Sequence, residues 1–125
     1  MKMNVKATGI ELTPAILSYA EKRLIKVGKY LEGDPVMAVE LGKSSQHHRQ
    51  GEIFRAEVRI VGSGSDFYAE REANDLYTAI DQVKDEVIHE ITKVKGKKRE
   101  LLRRGQRMIK DMAHGFPWFG RRLDK

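Results

Sequence analysis

The residues with the clearest chemical signal in this sequence are cations concentrated around position 95. Five of the seven residues between positions 93 and 99 are positively charged, and Arg103, Arg104, Arg107 and Lys110 follow. The five are Lys93, Lys95, Lys97, Lys98 and Arg99. Cations do suit the end of a solvated helix. A run of this density, opposed nearby only by Glu100, favours a polyanionic partner instead.

A second group of cations lies near the N-terminus. Lys22, Lys26 and Lys29 recur at i, i+4 and i+7, which places them on one face of a helix, and Arg23 lies beside them. For this helix alone, an ordinary solvated face explains the charges equally well.

The cations near residue 95 belong to a segment from Ala73 to Arg104 that begins with the pattern of an amphipathic helix. Its apolar residues are spaced three or four apart, as expected for a helix lying on a core. Asn74 or Asp75 is placed to cap its first turn. We expect Leu76 and Tyr77 to lie against the sheet as structural residues. The apolar stripe consists of Leu76, Ile80, Val83, Val87, Ile91 and Val94.

The first helix carries a similar stripe and follows a short strand. Met3, Val5 and Ala7 alternate with polar residues, which predicts a strand with one buried face. Thr13 and Pro14 form a typical helix start, since Thr caps and Pro loses no hydrogen bond at the first turn. The buried side of this helix is predicted to be Leu17, Ala20, Leu24, Val27 and Leu31.

Three further strands are predicted between the helices. Their inward residues are Met37, Val39 and Leu41, then Phe54, Ala56, Val58 and Ile60, and then Phe67 and Ala69 in a strand over 66–72. Polar residues 42–52 read as a hairpin loop, and the glycines at 62–65 as a tight turn. The predicted class is α+β in the order β-α-β-β-β-α. A four-stranded mixed sheet carries both helices on one face, so their basic outer faces should adjoin.

Composition and length narrow the class of protein further. The chain has 125 residues, a net charge of +6 and an isoelectric point near 9.6, which suits one folded domain with an acidic partner. Cysteine is absent, which excludes disulfides and thiolate metal sites. No apolar run approaches the roughly 20 residues of a membrane span, and no signal peptide is evident. We therefore expect a cytoplasmic protein.

Catalysis is not indicated by any motif. His47 and His48 are adjacent in the predicted loop, where two neighbours rarely aim at one metal, and spacing offers no third ligand. Phosphate-binding glycine loops and nucleophile elbows are missing. We expect a monomeric binding protein, not an enzyme, without metal, cofactor or small-molecule substrate.

The last segment, residues 105–125, differs in composition from the domain predicted over 1–104. It combines aromatic and basic residues and is expected to be flexible or ordered by a partner. Its aromatics could stack on bases, or they could cover the domain's own core edge or a neighbouring protein. The candidate contact residues are Phe116, Trp118, Phe119, Arg121 and Arg122.

Several of these segments together resemble a known family. The residues are Ile10–Ala15, the Lys22–Lys29 helix face, the Asp-Leu-Tyr-Thr-Ala-Ile-Asp run at 75–81 and the alternating lysines from Lys93. Over about residues 1–98 the chain resembles the ribosome hibernation promoting factor and ribosome-associated inhibitor RaiA (YfiA) family, in its short form. The resemblance implies a β-α-β-β-β-α fold, similar to a double-stranded RNA-binding domain.

The resemblance also implies a partner and a mechanism. Such proteins bind the small ribosomal subunit in the channel for messenger and transfer RNA, and inhibit translation by occupancy during dormancy. Positions matching the family assign ribosomal RNA contacts to Lys22, Arg23, Lys26 and Lys29, and to Lys93, Lys95 and Lys97. Glu86 and His89 stand where many members carry Lys and Arg, and Lys84 is a candidate substitute. The second domain of the long form is not expected here.

Other function classes remain as alternatives. One is a general double-stranded RNA-binding module, which would read duplex shape through phosphates and 2′-hydroxyls. Another is an interaction protein acting on transcription regulators, an older proposal for the same family. An enzyme is the weakest alternative.

Overall fold

The computed structural model describes residues 1–44, 51–62, 64 and 66–115, with side chains through residue 109. The elements follow the predicted order. They are β1 (Lys2–Thr8), α1 (Pro14–Leu24), a 3₁₀ helix (Ile25–Tyr30), β2 (Val36–Ser44), β3 (Ile53–Val61), β4 (Phe67–Ala73) and α2 (Leu76–Gly115). His47, His48, Ser63, Ser65 and the predicted contact residues at 116–122 lie outside the described residues.

The sheet is four-stranded and mixed, as predicted. Its order is β1-β2-β3-β4, with β1 parallel to β2 and the later strands forming an antiparallel meander. Strand β2 runs on to Ser44, so the loop begins later than predicted. Gly42 lies opposite Thr8, where an added Cβ would come within 2.7 Å of the Thr8 carbonyl oxygen. Since that distance is a clash, the parallel pairing requires glycine at this position.

The core lies between the inward face of the sheet and the two helices. Met37, Val39 and Leu41 of β2 are buried, and so are Ala56, Val58 and Ile60 of β3 and Phe67 and Ala69 of β4. The α2 stripe from Leu76 to Ile91 is buried as predicted. Burying an aliphatic side chain of this kind contributes about 1.5–3 kcal/mol to folding. Among the described residues, none of the buried side chains is polar or charged.

Both predicted helix caps are formed. The Thr13 hydroxyl accepts a hydrogen bond from the Ile16 amide at 3.2 Å, with Pro14 at the first helical position. Asp75 is the residue that caps α2: its carboxylate accepts bonds from the Thr78 amide at 2.9 Å and from the Thr78 hydroxyl at 2.6 Å. These bonds satisfy donors that a helix start otherwise leaves unpaired.

The helices depart from the prediction in two places. The first helix tightens to 3₁₀ at Ile25 instead of continuing as α-helix to Leu31, although Val27 remains buried. The second continues past Gly105 to Gly115, because isolated glycines such as Gly96 and Gly105 are tolerated among residues that favour helix.

Two compact units divide the chain, the first over 1–92 and the second beginning at Lys93. Within the described residues, no helix is both long enough and apolar enough to cross a membrane.

Candidate nucleic-acid interface

The cations of the first helix lie on its last α-turn and on the 3₁₀ turns that follow. Lys22, Lys26 and Lys29 are exposed. Because a 3₁₀ helix has three residues per turn, Lys26 and Lys29 lie one above the other. Among the described residues, none of these three lysines forms an ion pair; the Lys29 ammonium lies 5.3 Å from the centre of the Tyr30 ring. All three are therefore free to meet an anion.

Arg23 has a different environment, although it was predicted with the same group. Its Nε lies 3.5 Å from Asp81 Oδ1 on α2, and its guanidinium carbon lies 5.0 Å from the centre of the Tyr19 ring. This contact is an ion pair without hydrogen-bond geometry, since Oδ1 has no hydrogen-bond partner. Part of the Arg23 charge is thus committed to holding α1 against α2.

Tyr19 and Asp81 complete this connection between the helices. The Tyr19 hydroxyl donates a hydrogen bond to Asp81 Oδ2 at 2.7 Å, and that bond raises the pKa of Tyr19. The Tyr19 ring meets Tyr77 edge to face, with centroids 4.9 Å apart. Through this contact Tyr77 packs on α1. Because the residue is 41% exposed, it is not buried against the sheet as predicted.

The middle of α2 offers less positive charge than the family pattern implies. The Lys84 side chain is only 17% exposed and lies 3.4 Å from Asp85. Glu86 accepts a hydrogen bond from Arg71 of β4 at 2.6 Å. His89 is exposed. The resemblance implies cations at the positions of Glu86 and His89. Since the Lys84 side chain is largely covered, it is a poor substitute for them.

The second unit carries the run of cations from Lys93 to Arg99. Lys93, Lys97, Lys98 and Arg99 are exposed, and Lys95 is partly exposed. Arg104 pairs with Glu100 one turn earlier, at 3.2 Å. Among the described residues from Lys93 to Arg99, no ion pair is present, so this run keeps its full charge toward solvent. Its union with the α1 lysines into one surface remains a prediction.

The residues that join α1 to α2 were missed by sequence reasoning. Tyr19 and Asp81 each lie next to a buried stripe residue, Ala20 and Ile80. A hydroxyl and a carboxylate that flank two facing stripes could have signalled a hydrogen bond between helices.

On the outward face of the sheet, the Arg55 guanidinium is paired with two carboxylates. Arg55 lies between Glu57 and Glu70, with its Nε 2.8 Å from Glu70. The same guanidinium and the Tyr68 hydroxyl lower the pKa of Glu70. This cluster is a structural ion network, and it leaves the helices as the better place for an anion.

The chain is similar in sequence to several known proteins. Residues 3–99 match the family described as Sigma 54 modulation protein / S30EA ribosomal protein. A ribosome hibernation promotion factor from Lactococcus lactis is 29% identical over 96 residues, which is 76% of this chain and 50% of that protein. The Escherichia coli ribosome hibernation promoting factor is 23% identical over 100 residues, which is 80% of this chain and 99% of that protein.

A solved structure matches as well. The N-terminal domain of Thermus thermophilus Protein Y superposes with a TM-score of 0.64 and 27% identity, covering 75% of this chain and 99% of that domain. The chain spans about half the length of the first curated relatives that it matches. These relatives are named for promoting ribosome hibernation, and neither name describes a catalysed reaction, in line with the expectation of a binding protein. The match over most of its length shows that the chain belongs to the Sigma 54 modulation protein / S30EA ribosomal protein family.

Proposed function

We propose that this chain is a ribosome-binding dormancy factor. It binds the small ribosomal subunit as a monomer in the cytoplasm, through phosphates of ribosomal RNA. The observation that carries the proposal is the set of exposed lysines on the first helix, in a chain whose relatives are named for ribosome hibernation. None of these lysines has an ion-pair partner in the part of the chain that the structure describes. The exposed run from Lys93 to Arg99 supplies further phosphate contacts.

The mechanism is occupancy. A folded domain bound in the channel for messenger and transfer RNA excludes both ligands sterically, and no bond is made or broken. Each lysine that meets a phosphate releases counterions, so affinity falls with salt by a logarithmic slope of about 0.7–0.9 per contact. Lys22, Lys26 and Lys29 together then account for a slope of about 2–3.

The decisive experiment is sedimentation of purified small subunits with the protein. The triple variant K22Q/K26Q/K29Q should lose at least tenfold in affinity, and its salt slope should fall by about 2–3. It should also stop inhibiting translation in a cell-free assay.

A matched control removes the same charge elsewhere. The variant K2Q/K6Q/K43Q changes three exposed lysines of β1 and β2, so its net charge falls equally. It should sediment as the parent does. If both variants weaken equally, net charge and not the first helix governs binding, and the proposal fails.

A general double-stranded RNA-binding module is the second candidate, since exposed lysines also suit a plain duplex. Binding to a short RNA duplex should be much weaker than binding to small subunits at physiological salt. Equal affinity for both would favour this second candidate.

A further inference from the structure

The second unit exposes large apolar side chains as well as cations. Leu101, Leu102, Met108 and Ile109 are 65%, 66%, 62% and 59% exposed. At about 100° per residue, the four fall within an arc of about 120° on one side of α2. Gly105 falls in the middle of this arc, which we call the apolar arc. Within residues 99–109, the apolar arc contains no polar residue.

Cations occupy the rest of the same helix. Arg103 and Arg107 lie nearly opposite the apolar arc, and Arg99 and Arg104 lie at its sides. From 93 to 109 the chain has eight Lys or Arg residues against one acidic residue, Glu100, which gives a formal charge of +7. The segment therefore combines an exposed apolar strip with strongly basic flanks.

Three kinds of partner differ in how they use these two features. RNA phosphates would neutralise the arginines but would leave the apolar side chains in water. A second copy of the helix would cover the apolar arc but would bring together two segments 99–109 in which four arginines outnumber one glutamate. A bilayer with anionic lipids uses both, because the apolar side chains enter the boundary between headgroups and acyl chains while the cations meet the headgroups.

We propose that residues 99–109 of α2 bind the surface of anionic membranes, with the helix axis in the plane of the interface. The apolar arc and the basic flanks together select this partner, since RNA would satisfy only the charge. Gly105 has no side chain, so the helix can approach the surface closely along the centre of the apolar arc. Gly96 and Gly105 also weaken the helix in water, because glycine is a poor helix former. Binding should therefore raise the helix content of the protein.

The test is flotation of the full chain with vesicles. Vesicles of phosphatidylcholine and phosphatidylglycerol in equal parts should carry the protein upward, and vesicles of phosphatidylcholine alone should not. The apolar-arc variant L101S/M108S/I109S should bind the anionic vesicles at least tenfold more weakly. Circular dichroism should show a helix increase with anionic vesicles for the parent alone.

A matched control replaces three exposed apolar residues of the first unit. The variant I25S/V36S/V61S should bind anionic vesicles as the parent does. The variant K22Q/K26Q/K29Q, expected to lose the ribosome, should still bind the vesicles. This separates the inference from the proposed function, since each can fail without the other.

Several results would overturn the inference. One is absence of flotation, and another is equal flotation with neutral vesicles. A third is loss of small-subunit binding by the apolar-arc variant without any vesicle binding, which would assign the arc to the ribosome. A fourth is a dimer in analytical ultracentrifugation that the apolar-arc variant dissociates, which would make a second copy the occupant.

Discussion

At the scale of single residues, Asp75 shows how one carboxylate defines a helix start. Its two bonds from Thr78 lower the pKa of the carboxyl group. A carboxylate with a lowered folded-state pKa stabilises the fold above its unfolded pKa, near 3.9, and this contribution is lost as pH falls through the folded pKa. The cap is therefore strongest at neutral pH.

We predict that Asp75→Ala lowers the melting temperature at pH 7, and that the difference from the parent shrinks below about pH 4. Asp75→Asn keeps an oxygen acceptor without the charge, so it should retain more stability and lose this pH dependence. Thermal melts of the three proteins across pH measure both effects. A melting temperature of Asp75→Ala equal to the parent's at pH 7 would contradict the assignment of the cap.

Leu76 begins the buried stripe of α2 and is 5% exposed. Leu76→Ala should therefore lower the free energy of unfolding by about 2–5 kcal/mol, measured by urea denaturation. Leu101→Ala is the matched control on the same helix, and since Leu101 is 65% exposed its effect should stay within about 0.5 kcal/mol. A loss of only a few tenths for Leu76→Ala would mean that the stripe is misassigned.

At the scale of elements, local sequence patterns predicted the features that only a few consecutive residues determine, namely the inward faces of strands and the helix caps. Alternation in β2 and β4 identified the inward residues, because a strand turns each successive side chain to the opposite face. The caps were predictable from Thr13-Pro14 and Asp75, since capping needs only a few consecutive residues. The Arg71–Glu86 pair was not predictable, because its two residues are distant in sequence and no local periodicity relates them.

The end of α2 was also beyond the sequence pattern. The apolar stripe that buries α2 in the first unit ends near Ile91, yet the helix continues to Gly115. Residues after Gly105 favour helix by their intrinsic propensity. Propensity alone does not produce the apolar periodicity by which a helix packed on a core is recognised.

Deletion of residues 105–125 tests whether the fold depends on the end of the chain. Met108 and Ile109, which the deletion removes, are exposed, so the deletion should shift the melting temperature by no more than a few degrees while lowering helix content. Deletion from residue 88 onward removes the fully buried Ile91 and should abolish cooperative unfolding. Collapse of the shorter deletion would show that Phe116, Trp118 and Phe119 belong to the core.

At the scale of the whole molecule, the predicted site separates into cations that are free and cations that are engaged. The lysines on the first helix and the run from Lys93 to Arg99 face solvent without acidic partners among the described residues. Arg23 and Lys84 do not. Composition predicts that the partner is negatively charged, but only the fold shows which cations remain available to bind it.

Charge reversal at Lys26 and Lys95 tests both groups of free cations. The double variant K26E/K95E should bind small subunits more weakly, and its salt slope should flatten by about one to two. Its melting temperature should match the parent's, because neither side chain is buried. Sedimentation at physiological salt and a cell-free translation assay measure the effect. Binding as strong as the parent's would refute the role of these lysines.

The parallel pairing of β1 with β2 has a consequence for the order of folding. The meander joins strands that follow one another in the chain, whereas β1 pairs with β2 only after the whole first helix has been traversed. Closing the longer loop costs more chain entropy, so the meander should assemble first and β1 should dock last. In native-state hydrogen exchange, amides of Met3–Ala7 should then open at lower free energy than those of Ala56–Ile60. Equal protection of the two strands would instead indicate that the sheet opens as a single cooperative unit.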